Sequence, residues 1–314
     1  MSEGFEAEWL ALREPFDARA RNFGLALALA DALPPRPHLV DLGAGTGALL
    51  RWLAPLLARS QRWTLVDANA ALLEEAITTI EERAILAGWT TTWPKKRTLL
   101  VHTPQGVWRV EAMLADLAAG PRALPLEGAD AVVSTALCDL VSRPWVEAMA
   151  AALRVPFYAA LNVDGRERFF PPHPADRLVA QGFRRDQRRD KGFGGGALGP
   201  AAPAAMTQAF RVRGFTVRTA PSPWRIGAGT PTMADALAEG HARAAMAALP
   251  RSLAPRLRDW AAARRAQAMR GRLSAWIGHA DLLALPKGKR SGGPAHCLGQ
   301  SPEPPSSFCP LGEE

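Results

Sequence analysis

Asp41-Leu42-Gly43-Ala44-Gly45-Thr46-Gly47 is the segment whose residue types and spacing most directly suggest chemistry. Glycine adopts positive φ at little cost and lets a ligand approach the backbone closely. The segment follows the apolar run His38–Leu42 and leads into 48–60, where Leu49, Leu50, Leu53, Leu56 and Leu57 recur at helical spacing. A strand, a glycine turn and a helix N-terminus together present free N–H groups and a positive dipole end to a carboxylate or phosphate. Gly43, Gly45 and Ala48 also fit the dinucleotide fingerprint, and Asp67 falls about 20 residues on, where a ribose-binding acid belongs. The glycines by themselves leave more than one cofactor class open.

The elements that must position this loop are legible from periodicity and punctuation. Residues 5–33 read as helical with a break near Pro15, because proline suits a first turn and disrupts an interior. Strand 38–42, helix 48–60, strand 63–66 and helix 69–88 follow. Residues 90–93, 98–102 and 107–114 look extended, with Pro104-Gln105-Gly106 as a turn between the last two. This predicts a β-hairpin inserted before, or extending, the third core strand, which ends at 114–117. Residues 130–135 form a fourth strand, Ser142 caps the helix that Pro144 opens, and 156–162 form a fifth. Residues 166–205, rich in Pro, Gly and Arg, break the rhythm and read as a long substrate loop. Strand 215–219, a helical stretch over 232–270 interrupted near Pro250, and a closing strand 273–285 complete the pattern. Strands alternating with helices predict an α/β fold with a doubly wound, mainly parallel sheet. The expected organisation is an N-terminal helical lid (1–37), one domain (38–286) and a low-complexity, disordered tail (287–314).

Composition narrows the function classes. A chain of 314 residues that is 48% hydrophobic can build one large core or two modest ones. The apolar run 25–33 falls short of the roughly 18 residues a membrane span needs and carries Asp31, so no membrane role is expected. The N-terminal MSEGFEAEWL lacks the basic start of a signal peptide, which points to the cytoplasm. Three cysteines make no disulfide framework, and His296-Cys297 with Cys309 is an incomplete ligand set, so no metal is assigned. The net charge of +8 admits nucleic acid as a partner, although an arginine-rich solvated surface explains it as well.

Three features separate the cofactor classes. Asp41 precedes the glycines where dinucleotide folds keep an apolar strand end. A long helical segment comes before the first strand, and a second acid, Asp116, closes the third. With LVDLGAGTGALL (39–50), WTLVDANAALL (63–73), LADL (114–117) and DAVVSTALCDLV (130–141), the chain resembles class I S-adenosylmethionine-dependent methyltransferases. The likeness spans about 40–165, plus the antiparallel sixth and closing strands that family adds. It implies a Rossmann-like, seven-stranded sheet and S-adenosyl-L-methionine as cofactor. It also implies roles. Asp41 would meet the methionine ammonium; Gly43, Ala44, Gly45 and Gly47 would line the methionine and ribose. Asp67, followed by Ala68, would accept from both ribose hydroxyls. Asp116 would accept from the adenine amino group with Leu117 beside the ring, and Ser134 would complete the cofactor set. For each acid, a helix cap or a surface charge is the competing reading.

Methyl transfer is an in-line displacement, so the protein aligns an acceptor and removes a proton where needed. In this family the residues after the fourth and fifth strands face the methyl group, which nominates Ser134, Thr135, Asp139, Asn162, Asp164 and Arg166. Asp139 is the candidate base or orienting group, with a loop cap as its competing role. Cys138 lacks the adjacent proline of the cytosine-C5 enzymes, and the Asn/Asp-Pro-Pro-aromatic motif of amino-group methyltransferases is absent. The segment RRDQRRDKGFG (184–194) resembles segments of bacterial methyltransferases of uncharacterised activity, implying that Gln187, Asp190 and Lys191 line the substrate. Its arginines would suit an anionic substrate or RNA phosphate, and Phe183 and Phe193 a stacked ring, unless both belong to the core. Trp9, Arg13 and Arg21 belong to the helix expected to fold over the cofactor. A small-molecule acceptor is the first reading and an rRNA or tRNA acceptor the second. A non-catalytic scaffold and a nicotinamide oxidoreductase are the more distant rivals.

Overall fold

Every parallel strand of this chain ends on the same edge of one sheet, and that edge carries the glycine loop. The computed structural model describes residues 7–287. Strand β1 (His38–Leu42) pairs in parallel with β2 (Gln61–Asp67) on one side and β6 (Ala131–Thr135) on the other. Strand order therefore reverses at β1, and in open α/β sheets ligands bind beyond the strand C-termini at such a point. β2 pairs in parallel with β5 (Gly106–Leu114), and β6 with β7 (Phe157–Phe170). Antiparallel β10 (Ser274–Pro286) lies between β7 and β8 (Phe215–Pro221).

These seven strands match the expected core. Ten are present among the described residues, because the hairpin β3 (Thr90–Lys95) and β4 (Thr98–Thr103) extends the edge beside β5, and short β9 (Trp224–Ile226) pairs with β10. The hairpin thus lies where the 90–114 pattern placed it.

Alternating side chains on the central strands feed two cores. Leu39 and Leu65 pack beneath α2 (Phe23–Ala32), α3 (Ala48–Leu57) and α4 (Ala70–Leu86), with Leu29, Leu49, Leu53 and Ile80. Val40, Leu42 and Val132 pack beneath α5 (Arg143–Ala152) and α7 (Ala202–Val212), with Trp145, Met149 and Phe210. Each fully buried Leu or Val contributes about 1.5–3 kcal/mol of transfer free energy. A third core joins α1 (Ala7–Ala20) through Phe16 to α8 (Pro231–Ala248), α9 (Ala254–Met269) and the far ends of β7 and β10.

Two expectations change. Pro15 does not break the first helix; α1 runs through it, and the break falls at Arg21-Asn22, where Asn22 Oδ1 accepts from the Leu25 N–H and caps α2. Pro15 is exposed while Arg13, Phe16 and Asp17 are buried, so tertiary anchoring holds the helix across the missing N–H. Residues 166–205 are not a loop. β7 continues to Phe170, helix α6 spans Asp176–Gln187, and α7 begins at Ala202. The arginine-rich sequence hides a narrow apolar edge on α6, Val179 and Gly182. At Gly182 a Cβ would come within 2.7 Å of Ala245 on α8, so glycine is what allows the two helices to approach. The tail beyond Lys287, with the His296, Cys297 and Cys309 set, lies outside the described residues. No helix among the described residues is long and apolar enough to cross a membrane.

Candidate functional site

Three successive glycines of the 41–47 loop take positive φ: Gly43 at +67°, Gly45 at +52° and Gly47 at +77°. The loop turns back over the sheet edge, held by Gly43 and Ala44 N–H groups donating to the Val66 carbonyl. A side chain at Gly45 would meet Leu10 of α1 at 3.3 Å, so the first helix lies directly over the loop. Glu14 of α1 makes a two-pronged ion pair with Arg51 of α3 at 2.9 and 2.6 Å, and Arg51 also donates to the Thr46 carbonyl. The lid is therefore clamped to the helix that the glycine loop opens.

Asp41 is 0% exposed, and neither of its carboxylate oxygens has a hydrogen-bond partner among the described residues. Burial pushes its pKa up to about 8; Arg21 opposes the shift and Asp67 adds to it. Arg21, 4% exposed, is the matching cation. Its Nη2 donates to Thr135 Oγ1 at 3.3 Å, while Nε and Nη1 have no partner. Arg21 acts on the Asp41 charge and lies 4.0 Å from Asp17, and both Asp41 and Arg21 keep unmet hydrogen-bonding capacity. Unpaired buried charge is costly, so this arrangement fits a zwitterionic ligand that brings both opposite charges with it.

Asp67, at the end of β2, is positioned by the loop: Oδ2 accepts from the Gly45 N–H at 2.9 Å and Oδ1 from the Asn69 N–H at 2.9 Å. Ala68 is exposed beside it, and Asn69 caps α4. Asp116 is exposed beyond β5 and caps a short 3-10 turn through the Ala118 N–H at 2.8 Å, the capping role the sequence left open. Leu117 is buried beside it, its carbonyl accepting from Trp145 Nε1. Asp41, Asp67 and Asp116 thus line the ends of adjacent strands β1, β2 and β5. Ser134 is turned inward, with Oγ 3.6 Å from Cys138 Sγ. Burial drives the Cys138 thiol up to about 12, which removes it as a nucleophile.

The acceptor side lies beyond β6 and β7. Asp139 follows β6, its Oδ1 is enclosed without a partner, and burial pushes its pKa up to about 6 against the pull of Arg13 and Lys191. Its backbone carbonyl accepts from the Gly199 N–H at 2.8 Å, and Gly199 lies against Gln187, whose Oε1 is also buried and unpartnered. Lys191 donates to Asp186 at 3.0 Å. Asn162 is fully buried, donates to the Ala159 and Ala280 carbonyls, and leaves Oδ1 unpaired.

Several nominated residues do other work. Asp164 and Arg166 pair with each other at 2.5–3.0 Å, and the Arg166 side chain is 64% exposed over Trp276. Asp190 is exposed and closes a turn through the Gly192 N–H. Phe183 stacks on His241 at 3.9 Å and Phe193 meets Trp145 edge-on, so both rings pack internally and neither is free to stack a base.

The structure adds a wall that sequence reasoning missed. Trp224 of β9 donates to Asp17 at 3.0 Å, lies under the Arg13 guanidinium and meets Trp9 edge-on. It also contacts His279, which burial pushes down to about 3 and so keeps neutral. His279 and Asp281, two polar residues on one face of an otherwise apolar strand, were the available signal. Two shallow surface hollows lie elsewhere, one along Gln181, Arg184, Arg185 and Arg188, the other between Glu167 and Trp260.

No protein-family model and no functionally characterised protein sequence matches the chain. Among solved structures it is similar to an S-adenosylmethionine-dependent methyltransferase from Geobacter sulfurreducens in complex with S-adenosyl-L-homocysteine. The identity is 15%, with 91% of this chain and 100% of that one covered and a TM-score of 0.43. It is similar to a cyclopropane synthase from Mycobacterium tuberculosis (14% identity, 83% and 82% covered, TM-score 0.41). It is also similar to a geranyl diphosphate C-methyltransferase from Streptomyces coelicolor (11% identity, 83% and 79% covered, TM-score 0.41). At these scores a functional reading rests on the side chains of the cleft.

Proposed function

We propose that this chain is an S-adenosylmethionine-dependent methyltransferase acting on a small-molecule acceptor. The observation that carries the reading is Asp41: a fully buried carboxyl group with both oxygens unpaired, behind a glycine loop and within electrostatic reach of Arg21, whose Nε and Nη1 are unpaired. An α-amino acid moiety satisfies both at once, its ammonium on Asp41 and its carboxylate on Arg21. Asp67, pre-set by the Gly45 and Asn69 N–H groups, is placed to accept from a ribose diol. When bound, S-adenosylmethionine supplies an electrophilic methyl group on a sulfonium. Asp139, with its pKa near 6, holds or accepts the acceptor's proton. The lid α1, fastened by Glu14 and Arg51, excludes water from the cleft.

The test is calorimetry with S-adenosylhomocysteine. Wild-type protein binds it, and Asp67→Ala weakens binding by about tenfold or more, the value of one or two charge-assisted hydrogen bonds. Binding of NADH in place of either adenosyl ligand would overturn the reading.

A second acceptor class, RNA, is favoured by one observation: Arg184, Arg185 and Arg188 are exposed together along α6. RNA binding there would weaken steeply with salt, and replacing the three arginines would flatten that dependence by about two to three units of log–log slope. An unchanged slope removes the RNA reading.

A further inference from the structure

The cleft beyond β6 and β7 has a donor–acceptor imbalance that specifies what can occupy it. Gly199-Pro200 is where its elements meet. The Gly199 N–H donates to the Asp139 carbonyl, Gly199 lies against Gln187, and Pro200 lies against Gly165 of β7, three residues beyond Asn162. Asp139 and Gln187, whose backbones meet at Gly199, and Asn162, further back on β7, each bury a side-chain oxygen without a donor: Oδ1, Oε1 and Oδ1. All three can only accept a hydrogen bond. The cations nearby make their hydrogen bonds to other carboxylates. Arg13 donates to both Asp17 oxygens at 3.0 and 3.3 Å, and Lys191 donates to Asp186 at 3.0 Å. Both act on the Asp139 charge without contacting its unpartnered Oδ1. The neighbourhood is therefore short of donors that reach these oxygens, one of which belongs to a carboxylate. Burying a carboxylate or phosphate there would add repulsion and leave every orphaned oxygen unmet. Burying an N–H-rich cation or amine meets them together.

We propose that the methyl acceptor is a nitrogen, presented as an amine or amidine whose N–H groups donate to Asp139, Gln187 and Asn162. The inference rests on the methyltransferase reading and names the substrate class of that same site. The acceptor nitrogen attacks through its lone pair, so an ammonium first loses a proton. The new N–CH3 bond forms as the donor's S–CH3 bond breaks, with that electron pair staying on sulfur. The proton displaced from nitrogen passes to the Asp139 carboxylate, which releases it to solvent when the cleft opens.

The test uses four ring-matched probes, benzylamine, benzamidine, benzyl alcohol and benzoate, titrated at pH 7.5 into protein saturated with S-adenosylhomocysteine. The two nitrogen probes should bind about tenfold or more tightly than the alcohol, as for hydrogen bonds to a charged group, and benzoate should bind most weakly. Asp139→Asn should bring amine and alcohol affinities close together, and Gln187→Leu should weaken benzamidine while leaving benzoate unchanged. Unaltered S-adenosylhomocysteine affinity certifies that each variant is folded. Equal or tighter binding of benzoate or benzyl alcohol overturns the proposal. So does a nitrogen preference that survives Asp139→Asn, or a lack of binding by all four probes. The homocysteine titration is read first and separately: its failure strikes the cofactor reading, and the probe comparison is then made on the ligand-free protein.

Discussion

Asp41→Asn should lower the affinity for S-adenosylhomocysteine by roughly 10- to 100-fold, the loss of about 1.5–3 kcal/mol expected for a hydrogen bond to a charged group. The same substitution should stabilise the ligand-free protein at high pH. Burial holds the Asp41 proton to about pH 8 in the fold, whereas the unfolded chain releases it near pH 4. Between those values the folded state carries a proton that the unfolded state has lost, so stability falls as pH rises. The full effect is on the order of 5 kcal/mol above pH 8. Asn cannot ionise, so thermal unfolding of the variant should be flatter with pH across that window. Binding an ammonium reverses the balance, because it favours the ionised carboxylate. Wild-type binding below pH 8 should therefore release about one proton, read as a dependence of calorimetric heat on buffer ionisation enthalpy. Asp41→Asn should abolish that dependence. Proton release that persists in the variant would show that Asp41 does not meet the ligand's ammonium.

Asp281→Ala should cost about 3–5 kcal/mol of stability, the range for removing one member of a buried charged network. The Asp281 side chain is 0% exposed and accepts four hydrogen bonds. Oδ2 accepts from the Asn22 N–H at 2.7 Å and the Tyr158 hydroxyl at 3.3 Å; Oδ1 accepts from the Leu161 N–H at 2.8 Å and the Ser222 hydroxyl at 2.5 Å. Two of these donors are backbone groups that nothing else satisfies once the carboxylate is gone. The melting temperature should fall by roughly 6–15 °C. Asn22 is also the residue next to Arg21, so loosening it should weaken ligand binding beyond the stability loss. A melting temperature within about 2 °C of wild type would show that the network does not hold the lid's second helix to the sheet.

The two residues illustrate where sequence reading stops. Asp41 is marked by local pattern: an apolar strand, three glycines at fixed spacing and an amphipathic helix place it at a strand C-terminus whatever the rest of the chain does. The same local rules gave the hairpin over 90–114, the Ser142 cap and the closing strand. Asp281 has no such mark. Its four donors come from residues 22, 158, 161 and 222, brought together by antiparallel pairing of β10 with β7 and β8 and by docking of the start of α2. The error over 166–205 has a different cause. Helix α6 is polar on average, yet Leu178, Val179, Gly182 and Phe183 recur at helical spacing, so the Pro, Gly and Arg content of the segment masked a period that was present.

By itself, then, the sequence determined the alternating strand–helix framework, the glycine loop and its acids, because these depend on contacts between residues close along the chain. Tertiary structure alone decided which charges are left unpaired. Arg13, expected on the covering helix, and Lys191, expected along the substrate, are each paired in the fold, with Asp17 and Asp186. Asp41, Asp139 and Gln187 are nominated by the sequence, and only the fold shows that each buries an oxygen without a partner. Desolvation and pairing are properties of the assembled surface, and they are what convert a glycine-loop fold into a site with a specified ligand charge.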